Sequence, residues 1–406
     1  MNRLWRSPTL RSVVVYGASG AGFAGANLIL ARALPTAEYA IFTLVVALVN
    51  LGYAAGPAGL DFLVTRRGLP AGPLLLRRVL TAATIVALIF VAVGLLIYHL
   101  SPILLLFIFV SSVTGAAMAV AGARFQSEQR FGLSLSLTQS PNFVLLLAAL
   151  IVVVTRSDSA SLPLLIATLG YIGAGALGWG LLVREPGFGR ERKEELVWSE
   201  ALSLAGMDAS GLLLVQLDRL LIARLLSLGE LATYGVLAAI VGSLFRVLQM
   251  GVGYTLIPRL RVAASVSERR SLIRREIRLV TALVAGGALA IWLVTPLVER
   301  WLLGGKYHLT VPLMLAALAS GVAKVLNAFS KALVTALSEP SEVTTVNVFG
   351  WISVGVAIAA AAVGARWGLP GVIYGVGIGW LLRAVIGIGI SARRLRSPTP
   401  VVVTTP

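Results

Sequence analysis

The sequence predicts an all-α integral membrane protein: twelve transmembrane helices in two parallel-repeat six-helix lobes around a central cavity. Composition, the spacing of apolar windows and an internal repeat each point there. Of 406 residues, 58% are hydrophobic and 13% charged, and the mean hydropathy is +0.91. An average soluble domain carries about 25% charged residues. A soluble core of this size cannot absorb so much apolar surface, which excludes a soluble enzyme. A spanning helix needs about 20 apolar residues, so twelve fit the chain with short loops. Cysteine is absent and only His99 and His308 are present, so disulfides, thiolate metal sites and histidine-rich metal sites are excluded. No cofactor is expected.

Long apolar windows run near 12–32, 39–63, 78–98, 102–123, 135–155, 161–183, 199–225, 231–257, 278–302, 309–337, 343–365 and 370–392. The breaks between them carry turn signals such as Leu34-Pro35-Thr36, His99-Leu100-Ser101-Pro102 and Gly368-Leu369-Pro370. The one sizeable polar linker, 186–195, divides a first lobe, 1–185, from a second, 196–406. With both termini in the cytoplasm, 23 Lys and Arg fall in inner segments and six in outer ones, which fixes the expected orientation. The net charge of +17 follows from the same bias, and nucleic acid is not an expected partner.

The first window could be a signal peptide cleaved after Ala31-Arg32-Ala33, but it is long for one, and the internal repeat argues against cleavage. Residues 28–49 and 220–241 align without a gap with eight of 22 positions identical, Arg32 with Arg224 and Glu38 with Glu230 among them. Six windows separate the equivalents, so the halves share one orientation and a site is expected between them.

The opening residues Asn27, Ala31, Arg32, Leu34, Glu38, Tyr39 and Phe42, followed by Gly59-Leu60-Asp61, resemble the first two spans of a known family. That family comprises the bacterial polysaccharide exporters, O-antigen flippase-like members of the multidrug/oligosaccharidyl-lipid/polysaccharide (MOP) transporter superfamily. Leu217 to Ile222, Glu230 to Tyr234, Asn347 and Gly368 to Val372 are similar to its second half. One departure is Leu337-Ser338-Glu339-Pro340, where the family has a Gly-Arg pair. The resemblance implies a flippase in the bacterial cytoplasmic membrane, working as a monomer by alternating access. Its implied partners are a lipid-linked saccharide, membrane lipids and a monovalent cation or proton.

Small residues four apart, Gly17/Ala21/Gly25 in the first span and Gly371/Gly375/Gly379 in the last, let helix backbones approach. They serve either static packing or a sliding surface. Charges inside spans cost about 2.5–3.5 kcal/mol each at the bilayer centre, so each is a functional candidate. They concentrate in the second half: Asp208, Asp218, Arg219, Arg246, Lys324, Lys331 and Arg383. Ser320, Lys324, Asn327, Lys331, Thr335 and Ser338 fall on one face of the tenth span. Lys324 and Lys331 are expected to face the central groove, with Arg246 contributing, and to meet no adjacent carboxylate. A structural bridge from Lys324 to Asp208 or Asp218 is the rival reading. Arg219, Asn327 and Arg383 complete the candidate substrate-binding set; Asp208 and Asp218 are the ion-coupling candidates.

Five bases against two acids imply an anionic cargo. An organic-cation exporter of the same fold should show the opposite sign. A non-transporting membrane scaffold leaves the midplane lysines without a role. A glycosyl polymerase should carry a large external loop, and none is long enough. Gly17 to Gly22 lacks the preceding strand and following Lys-Ser/Thr of a phosphate loop. No enzymatic activity is expected. The seven arginines between Arg259 and Arg278 predict an amphipathic helix at the membrane surface.

Overall fold

A computed structural model describes residues 8–190, 197–262, 265–338 and 340–394, and every regular element among them is helical. The first half holds α1 (Pro8–Ala33), α2 (Thr36–Ala55), α3 (Leu60–Arg67), α4 (Pro73–Leu96), α5 (Pro102–Ser127), α6 (Phe131–Thr155) and α7 (Ser161–Val183). The second holds α8 (Trp198–Leu225), α9 (Leu228–Val262), α10 (Val266–Leu297), α11 (Val311–Leu337), α12 (Pro340–Gly364) and α13 (Gly368–Arg394). Eleven of the twelve expected spans each lie on one long helix. Eight of the helical stretches satisfy both length and hydropathy for crossing a membrane, and the chain is a multi-pass membrane protein. Residues 191–196 of the expected linker region lie outside the described residues.

The second expected span, 39–63, is not one helix. It breaks after Ala55, where Gly56-Pro57 precede Ala58 at φ 51 and Gly59 at φ 85. Proline removes a backbone donor, and the left-handed residues turn the chain. A Cβ on Gly59 would sit 1.8 Å from the Ala201 carbonyl of α8, so only glycine admits this approach. The basic segment 259–278 also differs from a separate surface helix. Its described part belongs to α9 and to α10, which runs unbroken from Val266 into the span, its first turn capped by Ser265 Oγ accepting from Glu268 N.

Helix pairs that touch in the first half recur in the second. Contacts α1–α6, α2–α4, α2–α5, α5–α7 and α6–α7 match α8–α12, α9–α10, α9–α11, α11–α13 and α12–α13. Equivalent side chains make equivalent contacts as well. Glu38 accepts from Ala160 N at the α6–α7 turn (2.7 Å), and Glu230, which accepts from Ser227 N (3.3 Å), places its other carboxylate oxygen beside Gly368 at the α12–α13 turn. Thr43 and Gly235, paired in the sequence repeat, meet each other: a Cβ on Gly235 would lie 2.8 Å from Thr43 Oγ1. Contact between equivalent positions marks a two-fold axis. The halves are a parallel repeat crossing where α2 meets α9.

We call the end where α1 starts and α13 finishes the near end. At the far end two tyrosines tie the halves together in mirrored fashion. Tyr98, after α4, donates to Leu220 O of α8 (2.9 Å), and Tyr307, after α10, donates to Ala31 O of α1 (3.2 Å). Burial pushes both hydroxyls up from 10.0 to about 12. Lys306 adds donations to Ala31 O (3.0 Å) and Leu34 O, and Arg32 donates to Trp301 O (3.3 Å). A lysine suits the exposed carbonyls of a helix C-terminus, although burial lowers its own pKa. At the near end the halves meet where Glu200 of α8 pairs with Arg66 (3.6 Å) and Arg67 of α3.

The glycine spacings resolve differently in the two spans. In α13, Cβ atoms on Gly371, Gly375 and Gly379 would strike α12 within 2.0 to 2.6 Å. That stripe is static packing. In α1, Gly17 and Gly20 face open space, and only Leu146 approaches Gly25.

Candidate functional site

A central cavity of about 100 Å³ lies where the halves meet. Gly20 and Phe23 come to it from α1, Arg219 from α8, Tyr234, Gly242, Phe245 and Gln249 from α9, and Ser320, Gly321 and Lys324 from α11. Helical periodicity aligns these side chains, and Gly321 lets the Phe245 ring lie against the α11 backbone. Lys324 and Arg219 are the only charged residues among the described lining.

Lys324 is not free of carboxylates. Its Nζ donates to Asp218 Oδ2 at 2.9 Å, across 106 residues of sequence. The expectation of an unneutralised lysine is overturned in favour of its rival. α8 and α11 both line the cavity, which brings the two charges together in a low-dielectric site where their attraction is strong. The Asp218 side chain is 1% exposed and that of Lys324 20%, so the lysine keeps contact with the cavity. The other carboxylate oxygen, Oδ1, is buried without a hydrogen-bond partner, and the Tyr234 hydroxyl faces the same carboxylate. The neighbouring Arg219 points away along the helix and donates to Gln216 Oε1 (2.6 Å), as adjacent helical residues must diverge.

The expected single groove containing both lysines is also corrected. Lys331 lies two turns from Lys324, roughly 10 Å along α11. It lines a second cavity of about 250 Å³ with Asn327, Ser330, Thr335, Asn347 and Arg383, closed on one side by Phe62 of α3 and Leu204 of α8. Exposure rises along the polar stripe toward the near end, from part-buried Lys324 and Asn327 to exposed Lys331 and Thr335. Arg383 is held inside the bundle. It is 7% exposed, and its guanidinium lies against Gly211 of α8 and Gly350 of α12. Those two glycines supply the room, a contact that a single helix's sequence pattern does not reveal. The side chains of Asp208 and Arg246 lie outside the described residues. No group of three or more metal-ligating side chains occurs among the described residues.

This architecture has counterparts among solved structures. An inward-facing multidrug resistance MATE family transporter of the MOP superfamily matches 95% of this chain and 98% of its own, with TM-score 0.63 at 13% identity. The lipid II flippase MurJ, in an inward closed conformation, matches 94% of this chain and 86% of its own, with TM-score 0.61 at 10% identity. The Vibrio cholerae MATE transporter VcmN, in its bent form, matches 96% and 98%, with TM-score 0.51 at 15% identity. The fold is that of MOP superfamily transporters. No family model matches the sequence, and no curated protein does. The solved structures that share the fold are transporters and a flippase, not enzymes.

Proposed function

We propose that the protein is a flippase that carries an anionic lipid-linked saccharide across the bacterial cytoplasmic membrane, with both termini and the near end cytoplasmic. The observation that carries this reading is the sign of the central cavity: its described charged lining is Arg219 and Lys324. A cation exporter needs carboxylates there, and the one carboxylate at hand, Asp218, faces Lys324. The lobes are 1–185 and 196–406, joined by 186–195, and they rock about the α2–α9 crossing.

The chemistry follows from the buried pair. An incoming phosphate competes with Asp218 for Lys324, and Arg219 offers further charge-assisted donors in the same cavity. Asp218, released in a buried site, must then take a proton or a monovalent cation, because an unpaired carboxylate there is costly. Cargo binding and ion binding thus exchange at one carboxylate. Asn327, Lys331 and Arg383 line the path toward the near end; Arg246 and Asp208 belong to the same proposed set, the former for substrate and the latter for coupling.

The test is reconstitution in liposomes with a fluorescent polyprenyl-diphosphate saccharide. The purified protein should move it between leaflets, and Arg219→Gln should slow this at least tenfold while leaving the protein folded. Transport of a lipophilic cation instead of the diphosphate lipid would refute the reading and favour a drug exporter of the same fold.

A further inference from the structure

We propose that Arg274, Arg275 and Arg278 of α10 form a binding surface for the headgroups of anionic phospholipids in the leaflet at the near end. All three are exposed. At 100° per residue they occupy the middle of one arc of the helix, opposite the buried Ile273 and Glu276. Among the described residues none of the three has an ion pair; Arg274 Nε donates only to Arg270 O (3.5 Å). Three guanidinium groups on one face therefore await anions from outside the protein.

The surroundings identify those anions. The same arc continues along α10 through Leu289, Trp292 and Leu293, large apolar side chains exposed on the outside of the bundle. In a membrane that surface is covered by acyl chains. Trp301, 74% exposed, stands 23 residues beyond Arg278, roughly 35 Å of helix. That spacing slightly exceeds the hydrocarbon thickness of about 30 Å, so arginine and tryptophan sit at opposite interfaces. The guanidinium groups are thereby held at phosphate depth, where their forked donors match phosphate oxygens.

The repeat supplies an independent reason for a lipid here. α4, the first-half counterpart of α10, packs along both α2 and α5. α10 packs on α9 but barely touches α11. Lipid takes the place of that missing protein neighbour, and the arginines select its charge. This surface lies away from both cavities, so the inference stands whatever the cargo.

Native mass spectrometry of the detergent-purified full chain, titrated with phosphatidylglycerol or phosphatidylcholine, tests it. Wild type should prefer phosphatidylglycerol. Each arginine near an anionic surface contributes about fivefold in affinity, so R274Q/R275Q/R278Q should lose at least tenfold for phosphatidylglycerol, with phosphatidylcholine unchanged. Equal phosphatidylglycerol binding by wild type and the triple variant, or no preference in wild type, overturns the proposal. If the triple variant is not recovered folded, the three single variants decide: each should lose severalfold, and no loss in any of them is equally fatal.

Discussion

The two halves pack by one plan and differ in what they bury. In the first half the buried polar side chains are uncharged, and several of them pair with one another. Ser19 Oγ donates to Gln139 Oε1 and accepts from Asn142 Nδ2, both at 2.7 Å, and Ser111 and Thr168 pair at 2.9 Å. The cavity beside Ser111, Asn142 and Thr168 is only about 40 Å³. In the second half, helices in equivalent positions bury Asp218, Arg219 and Arg383. Helix packing is thus set by small residues and turn glutamates, which both halves possess. Chemistry is set by a few substitutions on that scaffold, and only one half has them.

The Asp218–Lys324 pair offers the largest effect with which to break this comparison. Lys324→Gln strands a carboxylate that is 1% exposed and already has one unpartnered oxygen. Removing one partner of a buried pair costs about 3–5 kcal/mol, so thermal unfolding in detergent should fall sharply. Asp218→Asn should cost less, about 1–2 kcal/mol, because Lys324 can turn to water in the cavity. Combining the two should recover most of the stability but no transport. Equal losses from both single variants would mean that Lys324 is as enclosed as its partner, and the cavity would lose its accessible cation.

The glycine stripes give an intermediate effect with opposite signs in the two halves. Gly375→Ala in α13 forces a Cβ to 2.4 Å from Ala361 N, a backbone atom that cannot yield locally. Overpacking of this kind costs about 1–3 kcal/mol. Gly17→Ala in α1 meets nothing within 4 Å and should gain about 0.5–1 kcal/mol from helix propensity. Melting temperatures of the two variants should therefore move apart.

The spans and the repeat are legible in the sequence because both rest on local patterns. A helix in lipid must satisfy its own backbone, so apolar length alone locates it. The repeated glutamates Glu38 and Glu230 show through since each serves a turn close by in space in its own half. The Gly56-Pro57 break could have been read from that dipeptide, but continuous apolar text on both sides hides it. The Asp218–Lys324 contact is a different matter. Periodicity puts each charge on a helix face without saying which faces meet, so the pair could be weighed but not chosen. Lys324 and Lys331 share one face of α11 yet serve two cavities, because Phe62 and Leu204 close against the second lysine from other helices.

The smallest expected effect is the most direct probe of the symmetry. If Tyr98 and Tyr307 are equivalent clasps, Tyr98→Phe and Tyr307→Phe should each remove one far-end hydrogen bond between the halves. Each costs about 1 kcal/mol and shifts the balance toward an open far end. The chain has no cysteine, so a single Thr335→Cys reports accessibility at the near end without background. Both tyrosine variants should slow its labelling to a similar degree, as the near end closes when the far end opens. The hydroxyls also set a pH window. Their folded pKa values of about 12 lie above the ordinary 10.0. The folded protein therefore holds these protons more tightly than the unfolded chain. The stability they contribute is complete below pH 10 and declines as pH rises toward 12. Phenolate absorbance during an alkaline titration should show one fewer late-ionising tyrosine in each variant than in wild type. Slower labelling in Tyr307→Phe alone, with Tyr98→Phe unchanged, would show that Lys306 makes the far-end closure one-sided and that the repeat does not extend to the gate.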